Sequence, residues 1–294
     1  FLGQTGAGSA SQLMSEADFA NRLETLQQVN LMIVMDTTES MRSYLPLVRE
    51  GVADFIADYQ SRISDPSNRL PDVRIAVYAY SDFESAGAIE LGDPISTAVL
   101  MPPTRIDADR DLSALLLRIS AHQGLDDASG LREEAALEAV VQLSGEFERG
   151  QAWFEDGPRI IIHMADHGSR SSVDVDEILS ALEANRTLYL PLAIVTEDES
   201  ESSSRARRAF ANQAVQMLAP LVDQPTEDDV ARVDLLDFEE TTAAAVVDQL
   251  NQVVESVVVL VQDARGTVVG GQSSRDVEDI VSSRIRIGDA LGDQ

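Results

Sequence analysis

Asp36, Thr38 and Ser40 alternate along one short stretch, directly after the apolar run Leu31-Met32-Ile33-Val34-Met35. Carboxylate and hydroxyl oxygens packed this closely are hard donors, suited to a hard cation such as Mg²⁺, with Mn²⁺ and Ca²⁺ as alternatives. A second aspartate, Asp166, stands in the same kind of place, after the apolar run Arg159-Ile160-Ile161-Ile162-His163-Met164-Ala165. His167, beside it, is placed to orient a ligand or to meet an acid from a partner. Thr38 and Ser40 also have a plainer reading, as caps of the helix that follows. Of the other histidines, His163 lies inside an apolar run and reads as a packed core residue.

Both aspartates need a rigid mount, and the apolar runs supply it. A run with no polar alternation reads as a strand buried on both faces, as in a parallel sheet. Ligands of such sheets gather at the carboxyl ends of the strands. From Leu31 onward, strands alternate with helices. The spacing predicts a helix over Arg42 to Ile63, a strand over Val73 to Tyr80 and an edge strand over Ile95 to Leu100. Helices follow at Asp107 to Ala121 and Glu133 to Phe147. Beyond the Arg159 strand come a helix Val173 to Ala184, a strand Leu188 to Val195 and a helix Arg205 to Leu218. A short strand within Ala231 to Phe238 and a helix Glu240 to Val261 close the series. This alternation predicts an α/β fold with a central, mostly parallel sheet and helices on both faces. The expected organisation is a lead-in over 1–28, one domain over 29–262 and a polar tail over 263–294.

Composition removes several functions. The 294-residue chain carries a formal charge of −29, so nucleic acid and anionic lipid are unfavourable partners. It has no cysteine, which removes disulfides and thiolate chemistry. It also has no lysine: all 22 basic residues are arginine. A P-loop NTPase and a protein kinase both need a lysine on the phosphates, and a Schiff-base enzyme needs one as nucleophile. Gly3-Gln4-Thr5-Gly6-Ala7-Gly8-Ser9 imitates a phosphate loop, but Ser9 takes the lysine position and no strand precedes it. Haloacid-dehalogenase phosphatases need a second acid where Thr38 stands, and a lysine; receiver domains need a lysine as well. No Gly-x-Ser-x-Gly elbow supports a Ser-His-Asp hydrolase. No enzyme activity is expected. The arginines Arg205, Arg207 and Arg208 read as a solvated helix face, with docking of an acidic partner as the alternative. The chain opens on Phe1 and is expected to be a piece of a longer protein, so the lack of a leader or anchor carries no weight.

Asp36-Thr37-Thr38-Glu39-Ser40 fits Asp-x-Ser-x-Ser with threonine for the first serine. Here the chain resembles the von Willebrand factor A family and its metal-ion-dependent adhesion site. The resemblance implies a metal held by Asp36, Thr38 and Ser40, by Asp166 after a later strand, and by a residue of a mid-domain loop. That loop, Gln123 to Gly130, departs from the family's threonine or post-glycine aspartate: Asp126 or Asp127 stands there, with Ser129 close by. The implied function is divalent-cation-dependent protein binding, with a partner's acidic side chain completing the metal's shell. The alternative is a metal-free structural or sensory module that uses another face. Met35 to Met41, Tyr44 and Ala165-Asp166-His167-Gly168 also look like the region after the kinase domain in serine/threonine kinases associated with bacterial type VI secretion. That likeness implies a sensor or scaffold, in the periplasm or otherwise outside the cytoplasm, with the cytoplasm as the alternative.

Overall fold

A computed structural model describes residues 28–65, 70–83, 95–125, 135–148, 152–155, 157–169, 173–196, 201–218, 224–227, 230–235 and 243–255. The expected lead-in, the polar tail, and Asp126, Asp127 and Ser129 lie outside the described residues. Among the described residues, no helix is long and apolar enough to cross a membrane.

Six strands form one sheet: β1 (Gln28–Asp36), β2 (Asp72–Phe83), β3 (Ile95–Arg105), β4 (Arg159–Ala165), β5 (Thr187–Thr196) and β6 (Ala231–Leu235). Their order is β3-β2-β1-β4-β5-β6, with every neighbouring pair parallel except β2 and β3. The mostly parallel α/β fold expected from the alternation is therefore present. The edge strand runs on to Arg105, past the expected Leu100. It contains Pro102 and Pro103, which lack the N–H a central strand must donate and so belong on an edge.

The helices are α1 (Leu45–Ile63), α2 (Ser113–Ser120), α3 (Ala136–Ser144), α4 (Val175–Ala184), α5 (Glu201–Leu218) and α6 (243–255). The second helix starts six residues later than the spacing predicts. Asp111 Oδ1 accepts from the Ser113 backbone N–H at 2.9 Å, so the acidic stretch before it serves as a local turn rather than as helix. In α1, Leu45, Val48, Val52, Phe55, Ile56 and Tyr59 are all buried, at the spacing of one helix face.

β1 is the centre of the molecule. Leu31, Ile33 and Met35 join the core under α1 and α6, while Met32 and Val34 join the core under α3 and α4 on the opposite face. None of the five is more than 3 % exposed. Burying five such side chains contributes on the order of 10 kcal/mol before conformational entropy is charged against it. This two-sided burial explains the absence of polar alternation, and it holds the end of β1 rigidly.

Candidate metal centre at the carboxyl edge of the sheet

From β1 the chain moves through α1 to β2 on one side; from β4 it moves through α4 to β5 on the other. The crevice between β1 and β4 is thus the point where the winding reverses, the usual ligand position in open α/β sheets. Met35 pairs with Met164, so Asp36 and, one residue further along, Asp166 both emerge at its mouth.

The two carboxylates are bridged by hydroxyls. Thr38 donates from its backbone N–H at 2.8 Å and from Oγ1 at 2.6 Å to Asp36 Oδ1. Ser40 Oγ donates to Asp166 Oδ1 at 2.9 Å. Thr38 Oγ1 and Ser40 Oγ are 3.1 Å apart. Asp36 is 0 % exposed, Asp166 2 % and Thr38 4 %, while Ser40 is half-buried. The four residues singled out by spacing are therefore brought together, across more than a hundred residues of chain.

Neither hydroxyl caps α1. That helix begins at Leu45, with Tyr44 at its cap and no side-chain capping bond. The turns of residues 38–44 intervene, and they aim Thr38 and Ser40 back at the strand ends. Thr37 faces the other way: its N–H and Oγ1 both donate to the Tyr80 carbonyl, at 2.9 and 2.7 Å. This bond ties the loop to β2 and fixes which alternate side chains meet at the crevice.

His167 Nδ1 lies 2.8 Å from Asp166 Oδ2. Burial works against its charged form, but the hydrogen bond and charge of Asp166, with Asp36 behind it, outweigh burial and hold the imidazole above its ordinary value. The loop carrying these two residues is clamped. Gln213 of α5 accepts from the Ser169 N–H at 2.8 Å and donates to the Ser169 carbonyl at 2.9 Å. Ser169 Oγ in turn accepts from the Leu137 N–H at the start of α3 and donates to buried Glu138, both at 2.6 Å. Gly168 sits so close to α5 that an added Cβ would lie 2.6 Å from Phe210 N and 2.7 Å from Gln213 Oε1. Sequence reading misses Ser169, Gln213 and Glu138, because their partners are set by packing. A serine three residues after a strand-end aspartate was the only local cue.

Arg207 corrects the reading of its helix. It is half-buried, and its Nη1 donates to the Thr196 carbonyl at 2.8 Å, holding the carboxyl end of β5; Arg205 and Arg208 are exposed. His163 is fully buried, as expected: Nε2 meets Tyr80 Oη and Nδ1 meets Tyr189 Oη, both at 2.9 Å, and Phe210 packs edge-on at 5.8 Å.

The donor set is two carboxylates and two hydroxyls, all oxygen and all within one linked cluster. Among the described residues, no group of three or more His, Asp or Glu is placed to hold a metal. Hard oxygen donors with net negative charge fit Mg²⁺ in kind.

No family model and no curated protein matches the chain. Solved structures with a similar arrangement include the pilus adhesin SpaC from Lactobacillus rhamnosus GG in its open conformation: TM-score 0.48, 12 % identity, 79 % of this chain and 30 % of the adhesin. The conserved hypothetical protein BatB from Bacteroides thetaiotaomicron aligns with a TM-score of 0.46 at 12 % identity, over 76 % of this chain and 98 % of BatB. Proximal thread matrix protein 1 from the mussel byssus follows at 0.43 and 11 %, over 80 % of this chain and 46 % of that one. The chain thus spans about a third to a half of the adhesin and the byssus protein. At these scores the α/β description rests on strand order and core.

Proposed function

We propose that this chain is a von Willebrand factor A-type module that binds a protein partner through a divalent cation at the β1–β4 crevice. One observation carries the proposal. Among the described residues, the Asp36–Thr38–Ser40–Asp166 chain has three short side-chain contacts between oxygens and only two hydroxyl protons to fill them. With the Thr38 proton on Asp36 and the Ser40 proton on Asp166, two hydroxyl oxygens face each other with lone pairs. Two buried carboxylates flank them. Two carboxylates and two hydroxyls converging at one crevice make an all-oxygen donor set suited to a hard cation.

Asp36, Thr38, Ser40 and Asp166 would hold the ion, with Asp126 or Asp127 as the further ligand. A bound Mg²⁺ supplies positive charge and open positions for a partner's carboxylate. The protein's own contribution is rigidity: β1 and β4 fix the carboxylates, Thr37 anchors the loop to β2, and Gln213 anchors the Asp166 segment. No catalysis is assigned.

Isothermal titration of the chain with Mg²⁺ and with Mn²⁺ tests this. The expected result is saturable binding that Asp36→Ala abolishes. Absence of binding, or binding indifferent to Asp36→Ala, overturns it. The second reading is a metal-free module that uses another face. Anomalous density for Mn²⁺ at Asp36 separates the two.

A further inference from the structure

Arg49 stands on α1, one turn past Leu45, and is 8 % exposed. Its Nε and Nη1 are enclosed, and among the described residues none accepts a hydrogen bond from either. Nη2 is not among the enclosed atoms, so the guanidinium has one end toward solvent. His122, just beyond α2, has an enclosed Nε2 that is likewise without a hydrogen-bond partner. Burial lowers its basicity first, and the charges of Arg49 and Arg118 lower it further. The two side chains are therefore close enough to feel each other.

The backbone brings this pair up to the metal centre. Gly124 adopts φ +88°, and a Cβ there would lie 3.3 Å from the Thr37 carbonyl oxygen and 3.4 Å from Leu45 Cδ2. The stretch after His122 thus rests on the hydroxyl loop and on the first turn of α1.

The half-buried arginines among the described residues have acceptors. Arg62 pairs with Asp58 and Glu255, Arg159 with Glu148, and Arg74 and Arg207 donate to the Ala152 and Thr196 carbonyls. With 51 acidic residues in the sequence, carboxylates are abundant. A buried guanidinium that takes none of the described carboxylates, with a second basic group within range of its charge, is arranged for an acceptor from outside.

We propose that Arg49 and His122 form a pocket for a single oxyanion, a carboxylate or a phosphate group, behind the hydroxyl loop. The anion accepts from Nε and Nη1 of Arg49 and from an Nε2–H of His122. It enters past Nη2. The pocket uses none of the atoms of the cation site, so it stands or falls separately from the metal reading.

The test is a titration of the full 294-residue chain with sodium phosphate and, separately, sodium acetate. EDTA is present throughout to exclude metal-bound anion, and sodium chloride at matched ionic strength is the control. The readouts are the Arg49 Nε and His122 imidazole resonances, assigned with Arg49→Lys and His122→Gln. At least one oxyanion is expected to shift both resonances saturably, chloride neither, and Arg49→Gln is expected to weaken binding roughly tenfold or more. The anion that saturates at the lower concentration identifies the group the pocket takes. No saturable shift with either anion, or equal binding by Arg49→Gln, overturns the proposal. Should Arg49→Gln fail to fold, the wild-type resonances alone decide it.

Discussion

Two polar clusters lie within three residues of each other on β4, and they are built on opposite principles. The inner one joins Tyr80, His163 and Tyr189; the outer one joins Asp36, Thr38, Ser40 and Asp166. In the inner cluster the imidazole is held between two phenols. Tyr189 has no other acceptor among the described residues, so its O–H donates to Nδ1 and the Nε2–H donates to Tyr80. The imidazole and the Tyr189 phenol are held neutral: burial pushes the imidazole down to about 3 and raises the phenol. In the outer cluster two buried carboxylates meet two hydroxyls, with His167 against Asp166. A buried network of neutral groups specifies the core, whereas an all-oxygen cluster with two carboxylates suits a cation. Substitutions should therefore act on stability in the first cluster and on cation response in the second.

The sharpest contrast comes from His163→Ala. It opens a cavity and strands two phenols, so urea denaturation should show a loss of about 3–5 kcal/mol. A loss below about 1 kcal/mol would erase the distinction between the clusters. The same histidine sets a pH dependence. Its unfolded value is the ordinary 6.5 and its folded value about 3, so between these the unfolded chain binds the extra proton. Stability from this group is complete above pH 6.5 and is lost as pH falls toward 3, with stability rising with pH in that window. His163→Gln, measured by urea melts from pH 7 to pH 4, should flatten that slope.

Gly168→Ala forces a Cβ into the α5 backbone and should cost about 1–3 kcal/mol. It should also weaken any Mg²⁺ response, because Asp166 and His167 shift with the backbone. Gln213→Ala removes the pair of bonds to Ser169 and should cost about 1–2 kcal/mol by thermal or urea unfolding. The smallest stability change belongs to Ser40→Ala, within about 1 kcal/mol in chelator, since one half-buried bond is lost. Yet Ser40→Ala should remove most of the Mg²⁺-induced rise in melting temperature. If it lowers stability in chelator as much as His163→Ala does, the outer cluster is a structural network like the inner one.

Much of this arrangement was legible in the chain. The uninterrupted run Leu31–Met35 announced a doubly buried strand, because a residue with core on both sides has no solvent face to fill with polar groups. Asp36, Thr38 and Ser40 were visible as a group because their separation is local. His163 was recognisable as core from the same kind of run. Arg207 was misread as a solvated face, since its acceptor on β5 is known only once the helix packs. The clamp of Ser169 by Gln213 was invisible for the same reason.

The sequence by itself determined the chemistry at hand: oxygen donors after buried strands, no lysine, no thiol, and strong negative charge. Tertiary structure decided which donors meet. Parallel pairing of β1 with β4 set Asp36 beside Asp166, and the turns of residues 38–44, tied down through Thr37 to β2, aimed Thr38 and Ser40 between them. It also left Arg49 buried with no acid paired to it among the described residues. Contacts between residues far apart in sequence depend on register and helix placement, which are settled by the packing of the whole core and not by any local stretch.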